Sequence, residues 1–263
     1  MHQWILQGNK GSEDLKIVEC PIPEASSNDV LIKFHSASLN YRDLMIENVS
    51  SMELACSLHN NFSHREPITG RQSLKLLQGE QSSINLLLLE FCQLRLISSD
   101  GAGEVVAIGN KFTQFHVGQR VLAAFFQSLI AGTITPQDNM TSLGGLTDGV
   151  LCEYGVFNEH GLVLIPDSLS YWEAATLPCA ALAVWNALYG VKPLKPGDTV
   201  LVKGAGGVSI FALQFAFAGG VEVIATTSDA RKEEMLKGLG AHHVINYKIN
   251  LEWGQAVKDM SLG

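Results

Sequence analysis

A glycine-rich loop constrains the fold of this chain more than any other feature, and it reads Gly204-Ala205-Gly206-Gly207-Val208-Ser209. It follows Thr199–Val202, a short apolar run with β-branched residues that is typical of a buried parallel strand. A helix is predicted next over Val208–Ala218, and a second strand over Val221–Thr226. A strand, a glycine loop, a helix and a second strand in this order predict a βαβ unit that binds a dinucleotide.

The same alternation continues beyond this unit. A helix, a strand and a helix are predicted over Ala230–Leu239, His243–Ile245 and Leu251–Met260. Upstream, Ser170 and Glu173 fit a capping box that begins a helix. Pro178 is expected to break or kink that helix, and a further helix is predicted over Cys179–Tyr189. Alternating strands and helices of this length predict that residues 169–263 form an α/β domain on a parallel sheet.

Residues 1–168 follow a different pattern, in which short strand-like segments are separated by glycine and proline turns. The segments are Leu15–Glu19, Val30–Phe34, Gly103–Ile108, Arg120–Phe126, Leu151–Phe157 and Gly161–Ile165. This pattern predicts a compact β-rich domain. Residues 48–98 fit neither half, because Ser, Gln, Asn and Leu occur there with no steady period. They are either a long surface insertion or a segment foreign to the fold.

The glycine loop suits a pyrophosphate for identifiable reasons. Gly204 permits a tight turn, Gly206 allows the backbone to approach the ligand closely, and the N-terminus of the predicted helix offers free N–H groups. We predict that the whole loop, Gly204, Ala205, Gly206, Gly207, Val208 and Ser209, contacts the cofactor. Ser209 stands where Gly or Ala is usual, so the packing there must accept a hydroxyl. The alternative is a tight turn that binds nothing.

The end of the second strand bears on the choice of cofactor. Thr227 and Ser228 end it, and Arg231 and Lys232 follow within one turn. Small hydroxyl residues beside cations suit the 2′-phosphate of NADP better than a bare ribose. Asp229 supports the alternative, because a shift of one residue would make it the acid that selects NAD. It could instead cap the helix predicted from Ala230. We predict NADP, with NAD possible.

The formal net charge is −8, and no basic run occurs, so a nucleic-acid partner is not expected. Five cysteines lie singly with no C-x-x-C motif, as in proteins with reduced thiols. The N-terminus lacks a secretory signal pattern, and the most apolar segment, Ile84–Ile97, is too short to span a membrane. We therefore expect a cytoplasmic protein with a small-molecule substrate and no membrane partner.

Five segments together resemble the medium-chain dehydrogenase/reductase superfamily. They are Ser38–Met45, Asp100–Gly109, Val117–Val121, Leu177–Ala180 and Val200–Ser209, and the resemblance covers residues 1–47 and 99–263 in the family's order. It implies a GroES-like N-terminal domain, a Rossmann domain, and hydride transfer between NAD(P)H and an alcohol or carbonyl, an enone or a quinone. It also implies that Ser228, Arg231 and Tyr247 bind the 2′-phosphate. Ala181 and Ala183 depart from the family, which usually has Gly and Thr there.

The resemblance also indicates which branch the chain is similar to. The zinc ligands of the zinc alcohol dehydrogenases are replaced by Asn40 and by Ser99-Asp100, and only Cys179 remains. One thiolate cannot hold Zn²⁺, which needs three protein ligands, so we expect no metal and a zinc-independent oxidoreductase of the quinone oxidoreductase-like type. Cys179 is then a buried thiol.

Without zinc, hydrogen-bond donors must polarise the substrate. The catalytic candidates are Asn40, Tyr41 and Arg42, although Tyr41 could serve only packing and Arg42 only an ion pair with Asp43.

Two departures from the family concern the extent of the chain. We expect residues 48–98 to be translated intron, since Val49-Ser50 could be encoded by the consensus start of an intron. Family members also continue beyond the third Rossmann helix, where this sequence stops at Gly263. The chain is therefore expected to contain a partial Rossmann domain, to transfer hydride poorly and to lack the edge through which relatives form homodimers. The alternative function is a non-catalytic, nucleotide-binding protein of the same fold.

Overall fold

The computed structural model describes residues 1–8, 11–48, 95–111 and 114–261. The chain forms two compact units, Met1–Pro178 and Cys179–Gly263. The domain boundary predicted between residues 168 and 169 lies inside the first unit. The reason is local: Ala174, the last residue of the helix that begins at Tyr171, and Ala175, which caps it, are buried against Ala102 and Ile165 of the first unit.

The first unit contains two antiparallel sheets. One has three strands in the order β2-β1-β4, and the other has five in the order β7-β3-β5-β6-β8. The strands are β1 His2–Leu6, β2 Leu15–Glu19, β3 Asp29–Ser38, β4 Arg95–Leu96, β5 Asp100–Ile108, β6 Arg120–Ala123, β7 Tyr154–Asn158 and β8 Leu162–Leu164. The prediction of a β-rich N-terminal domain is confirmed.

Short helices connect these strands. They are α1 Tyr41–Asn48, α2 Pro136–Met140 and α3 Tyr171–Ala174, with 3-10 turns at Gly11–Asp14 and Glu159–Gly161. The predicted capping box of α3 is confirmed: the Glu173 backbone N–H donates to Ser170 Oγ at 3.3 Å, and the Ser170 N–H donates to Glu173 Oε2 at 2.8 Å.

Strands β3 and β5 carry the core of the larger sheet. Their pairing shifts register between Leu31 and Ile32 and again between Phe34 and Ser36, and such bulges bend a strand. One face of the sheet buries a continuous apolar cluster of Val30, Ile32, Val105, Phe115, Val121, Ala123, Leu143, Val150, Phe157 and Leu162. This burial supplies the main stabilisation of the unit.

Most of residues 48–98, the predicted foreign segment, lie outside the described residues. The last of them are described: β4 pairs with β1, and Ile97 and Ser98 are buried. The Ile97 carbonyl accepts a hydrogen bond from the Leu151 N–H at 3.1 Å. Residues 95–98 are therefore part of the first unit, so the prediction that the foreign segment extends to residue 98 is wrong at its C-terminal end.

The second unit is built on a three-stranded parallel sheet in the order β11-β10-β9. Its strands are β9 Thr199–Lys203, β10 Glu222–Thr227 and β11 His243–Asn246, and its α-helices are α4 Leu182–Trp185, α5 Gly207–Ala218, α6 Arg231–Gly238 and α7 Trp253–Ser261. The core consists of Val202, Leu213, Ala216, Val221, Val223, Ala225, Leu236 and Ala241. The predicted alternation is confirmed, with element ends within two residues of their predicted positions.

The helical segment before β9 corrects one expectation. A π-helix Leu177–Ala181, then α4, then a π-helix Asn186–Gly190 run without interruption, so the predicted helix Cys179–Tyr189 begins two residues earlier than expected. Pro178 neither ends nor precedes this segment but is its second residue. Proline is tolerated in the first turn of a helix because the N–H that it lacks would have no partner there.

In the parts of the chain that the structure describes, no helix combines the length and the apolar character that a membrane crossing requires.

Gly103 in β5 provides a test of the sheet pairing. A Cβ at this position would overlap the backbone carbonyl of Lys33 on β3, and backbone cannot move aside cheaply. We expect Gly103→Ala to lower the free energy of unfolding by about 1–3 kcal/mol. In Gly238→Ala the new methyl meets nothing within 4 Å, and the helix should gain about 0.5–1 kcal/mol. Urea unfolding of the wild type and the two variants measures both changes in the free energy of unfolding. If Gly103→Ala were as stable as Gly238→Ala, the result would contradict the pairing of β3 with β5.

Candidate cofactor-binding site

The turn after β9 is set by Gly204. Its φ of 82° lies in the left-handed region, which side chains with a Cβ rarely adopt. The Gly204 N–H donates to Thr226 Oγ1 at 3.2 Å, and Thr226 is buried in β10. The turn is therefore tied to the neighbouring strand and reverses the chain directly into α5.

Gly206 and Gly207 leave open space beside the backbone. Gly206 is the N-cap of α5, with φ −90° and ψ 176°, and it supplies no side chain to cap the helix. A Cβ added at Gly206 or Gly207 would meet no heavy atom within 4 Å. A helix N-terminus with free N–H groups and an open approach suits an anionic group such as a pyrophosphate.

Ser209 explains how the loop accepts a residue larger than the usual Gly or Ala. Its Oγ donates to the carbonyl of Lys203, the last residue of β9, at 2.8 Å. The hydroxyl therefore stabilises the turn by linking the first turn of α5 to the end of β9. Ala205 packs against the core of the unit, whereas Val208 is exposed. All six predicted loop residues thus lie in the turn or in the first turn of α5.

A cleft of about 320 Å³ opens at the carboxyl ends of the three parallel strands. It is lined by Lys203, Gly204, Thr226, Tyr247 and Trp253. Sequence reasoning missed three of these residues, Lys203, Thr226 and Trp253. A signal for the first two existed, because ligands of open α/β sheets bind beyond the carboxyl ends of the strands, and both residues lie at such ends.

Thr227 and Ser228 lie at the tip of β10. Thr227 is buried, and its carbonyl accepts a hydrogen bond from the Tyr247 N–H at 3.0 Å, which brings Tyr247 beside this tip. Ser228 is half-buried. The structure therefore brings together three of the predicted residues around the end of β10, namely Thr227, Ser228 and Tyr247.

Asp229 and Arg231 form an ion pair. Arg231 Nη2 lies 2.8 Å from Asp229 Oδ2, and Arg231 Nε lies 3.0 Å from Asp229 Oδ1. Asp229 Oδ1 also accepts from the Arg231 backbone N–H at 3.0 Å. Hydrogen bonds from Arg231 lower the pKa of Asp229 to about 2, and the pair raises the pKa of Arg231. The Asp229 carboxylate makes the expected capping hydrogen bond, to the Arg231 N–H, because Ala230 before α6 already has helical φ and ψ and offers no side-chain cap.

The substrate-side candidates Asn40, Tyr41 and Arg42 lie at the start of α1. The Tyr41 side chain is open to solvent, with 77% of the residue exposed. Arg42 Nη1 donates to the Leu143 carbonyl at 2.9 Å, and the guanidinium lies over the Phe125 ring at 4.8 Å from its centroid. Arg42 therefore anchors α1 to a distant segment of the first unit.

Asp43 and Asn40 form a buried polar turn. Asp43 is 3% exposed, and its Oδ2 accepts from the Asn40 N–H at 2.7 Å. Within the described residues, Asp43 Oδ1 and Asn40 Nδ2 are buried with no hydrogen-bond partner. Burial raises the pKa of Asp43, although the Asn40 hydrogen bond and the Arg42 charge oppose the shift. The buried amide donor of Asn40 therefore lacks an acceptor among the described residues.

The positions that correspond to zinc ligands contain few metal-binding groups. Ser99 and Asp100 are fully buried, and Ser99 Oγ donates to Asp100 Oδ1 at 2.6 Å. Cys179 lies half-buried at the first residue of the second unit. Among residues 1–8, 11–48, 95–111 and 114–261, no group of three or more His, Cys, Asp or Glu could hold a metal ion. Zinc independence stays a prediction.

Two family models match the chain. Residues 86–167 match the alcohol dehydrogenase GroES-like domain, and residues 207–263 match the domain described as zinc-binding dehydrogenase. The first match begins inside the segment 48–98, so the prediction that this whole segment is foreign to the family is wrong for residues 86–98. A crystal structure from Sinorhizobium meliloti 1021, provisionally described as an alcohol dehydrogenase, is 32% identical with a TM-score of 0.71, and the match covers 99% of this chain and 67% of that one. The chain belongs to the medium-chain dehydrogenase/reductase superfamily. The predicted family and the predicted fold, a GroES-like domain with a nucleotide-binding domain, are confirmed.

Other members of the superfamily match over most of the chain. A zinc-type alcohol dehydrogenase-like protein of Schizosaccharomyces pombe is 38% identical, and the match covers 96% of this chain and 64% of that protein. A chloroplastic quinone-oxidoreductase homolog of Spinacia oleracea is 28% identical, over 90% of this chain and 58% of that protein. The chain thus spans about three-fifths of the length of these two relatives.

Two glycine variants of this dehydrogenase/reductase loop test whether the loop serves only as a turn or also binds a ligand. Gly204→Ala should cost about 1–2 kcal/mol of stability, because φ at this position is positive. Gly206→Val has an allowed backbone and free space, so its stability should change by less than about 1 kcal/mol. The valine fills the approach to the backbone, so NADPH binding should fall at least about tenfold. Thermal unfolding and fluorescence titration measure the two effects. Unchanged binding in Gly206→Val would indicate a turn that binds nothing.

Asp43 gives a pH-dependent test. Because its pKa is raised in the folded chain, the charged carboxylate lowers stability above that pKa, and this effect fades as the pH falls toward the unfolded pKa. Asp43→Asn keeps an acceptor for the Asn40 N–H without the buried charge, so it should be as stable as the wild type or more stable at pH 7. Its advantage should shrink at pH 5.

Asp43→Ala is the matched comparison, because it removes the acceptor and leaves the buried Asn40 N–H unpaired. It should lose about 1–3 kcal/mol at both pH values. Urea unfolding at pH 5 and pH 7 provides the data. If Asp43→Asn and Asp43→Ala lowered the free energy of unfolding equally, the result would contradict the claim that the buried charge of Asp43 destabilises the fold.

Proposed function

We propose that this chain is a zinc-independent, NAD(P)-dependent oxidoreductase, which transfers hydride between the cofactor and an alcohol or carbonyl, an enone or a quinone. The observation that carries the proposal is the loop after β9. Gly204 makes the left-handed turn, and Gly206 and Gly207 leave space at the N-terminus of α5. A tight turn without a ligand would need the first glycine but not the open space.

The residues at the carboxyl edge fit a dinucleotide. The backbone of Gly204, Ala205, Gly206, Gly207, Val208 and Ser209 would hold the pyrophosphate, and Thr227 and Ser228 would face the adenosine ribose. We propose NADP as the cofactor, with Ser228, Arg231 and Tyr247 at its 2′-phosphate and NAD as the alternative. Tyr247 supports this assignment because it lines the cleft beside the tip of β10.

On the substrate side, Asn40 and Tyr41 would supply the hydrogen bonds that polarise a substrate oxygen. When bound, the cofactor supplies or accepts the hydride. The Asn40 amide supports a role as donor because its Nδ2 is buried without an acceptor among the described residues. Arg42, predicted as a third catalytic group, donates to Leu143, so we propose that it positions Asn40 and Tyr41 through α1.

A second candidate function is nucleotide binding without hydride transfer. Two observations favour it: Arg42 is engaged in packing with Phe125, and Ala183 stands where the family usually has Thr. The two functions differ in turnover but not in binding. We propose the oxidoreductase because the buried Asn40 Nδ2 has no acceptor among the described residues, as a donor reserved for a substrate oxygen would have none.

The first experiment measures the binding of NADPH and NADH to the full 263-residue chain, with the fluorescence of the cofactor as the readout. Turnover is then measured with a quinone, an enone and an alcohol, with and without a zinc chelator. We expect saturable binding, turnover of at least one class of substrate, and no loss on chelation. Asn40→Ala should lower kcat at least about tenfold with little change in cofactor binding.

Other outcomes discriminate between the proposals. Binding without turnover would favour the second function, and loss of activity with the chelator would overturn zinc independence. Absence of binding of either cofactor would overturn both functions.

A further inference from the structure

The backbone of the first unit crosses from one sheet to the other at Ser98, which adopts a left-handed conformation. β4 ends at Leu96 in the three-stranded sheet, and β5 begins at Asp100 in the five-stranded sheet. Ser98 has a φ of 69° and is fully buried, and among the described residues no other residue with a Cβ has a positive φ. This conformation is unfavourable for serine and persists only where the surrounding structure enforces it.

The loop of residues 144–150 packs directly on the Ser98 backbone. A Cβ at Gly144 would lie 2.7 Å from the carbonyl carbon and oxygen of Ser98, and a Cβ at Gly149 would overlap that oxygen. The same oxygen accepts a hydrogen bond from the Val150 N–H at 2.9 Å. Two backbones in such close contact leave little room for Ser98 to adopt another φ.

The Ser98 side chain connects this crossing to the turn that carries Asn40. Its Oγ donates to the Ser38 carbonyl at 3.2 Å, and Ser38 is the last residue of β3, two residues before Asn40. A glycine at position 98 would adopt the same φ without strain but would supply no hydroxyl. The hydroxyl is therefore what serine contributes at this position.

Asn40 lies between two anchored residues. On one side, the Ser38 carbonyl is bound by Ser98. On the other side, Arg42 Nη1 donates to the Leu143 carbonyl at 2.9 Å. The backbone on both sides of Asn40 is thus fixed by residues that are distant in sequence, and the orientation of its side-chain amide depends on both anchors.

We propose that Ser98 is a positioning residue for the reaction, whose hydroxyl fixes the end of β3 and thereby orients the side-chain amide of Asn40. This inference rests on the proposed function, in which Asn40 donates to the substrate oxygen. Ser98 is fully buried and acts only through the Ser38 carbonyl. Its left-handed backbone places the hydroxyl where this carbonyl can accept from it.

Ser98→Gly is the informative variant, because glycine keeps the left-handed turn and removes only the hydroxyl. Its urea midpoint should stay close to that of the wild type, since relief of the strained φ offsets the loss of one hydrogen bond. Ser98→Ala also lacks the hydroxyl but keeps the strained φ, so it should unfold at lower urea.

Steady-state kinetics of the full chain measure the effect on the reaction, with NADPH and whichever of the quinone, the enone or the alcohol is turned over. We expect kcat to fall about fivefold in both Ser98→Gly and Ser98→Ala, with KM changed by less than about twofold. An equal loss in two variants of different stability would follow the hydroxyl and not the stability of the fold.

Hydrogen exchange provides a readout that does not require turnover. In Ser98→Gly the backbone amide of Asn40, which donates to Asp43 Oδ2 at 2.7 Å in the wild type, should exchange at least about tenfold faster. The Val150 amide should exchange at its wild-type rate, because the Ser98 carbonyl that accepts from it remains in place.

Two further variants complete the design. Tyr189→Phe removes a half-buried hydroxyl that donates to the Phe215 carbonyl at 3.0 Å in the second unit, and it should change kcat by less than about twofold. In the Asn40→Ala background, Ser98→Gly should lower kcat by less than about twofold further, because Ser98 acts through Asn40.

The outcomes separate this inference from the proposed function. Unchanged kcat in Ser98→Gly, an equal loss in Tyr189→Phe, or additive effects of Ser98→Gly and Asn40→Ala would overturn the role of Ser98 while the proposed function stands. If the wild type turns over no substrate, the proposed oxidoreductase fails, and the exchange rates still decide whether Ser98 holds this turn. Equal exchange of the Asn40 amide in Ser98→Gly and the wild type would show that it does not.

Discussion

The left-handed backbone of Gly204 determines how the second unit presents its chemistry. Three parallel strands end at one edge, and only a tight turn there can send the chain from β9 directly into α5. The bond from the Gly204 N–H to Thr226 couples that turn to β10. The helix N-terminus, the open backbone of Gly206 and the cleft at Tyr247 all depend on this geometry. A residue with a Cβ at position 204 would strain the turn from which the site is built.

Sequence reasoning predicted what local patterns determine. The β-branched run of β9 and the capping box of Ser170 each act over a few residues, and both are confirmed. The glycine loop is confirmed as a tight turn between β9 and α5. The position of Pro178 inside a helical segment was not predicted, because proline at the start of a helix and proline at its end look alike in sequence. Trp253 was missed, since its place in the cleft wall depends on how strands and helices pack together.

The contacts of the substrate-side residues could not be predicted either, because their partners are distant in sequence. Family resemblance identified Asn40, Tyr41 and Arg42, but the contact of Arg42 with Leu143 spans 101 residues of sequence. The unpaired atoms of Asn40 and Asp43 become visible only when their surroundings are known. The ion pair between Asp229 and Arg231 spans only two residues of sequence, yet it could not be predicted. Each residue has a plausible separate role, and the pairing depends on the conformations of both side chains.

The proposed function depends most directly on the binding of a pyrophosphate at the N-terminus of α5. The most direct measurement is a nuclear magnetic resonance titration of the backbone amides with NADP⁺ and with ADP-ribose, which retains the pyrophosphate but lacks the nicotinamide. We expect both ligands to produce their largest shifts at the amides of Gly206, Gly207 and Val208, with smaller shifts at Ser228 and Tyr247. Saturable shifts centred elsewhere, or unchanged amides in the glycine loop at saturating ligand, would contradict it.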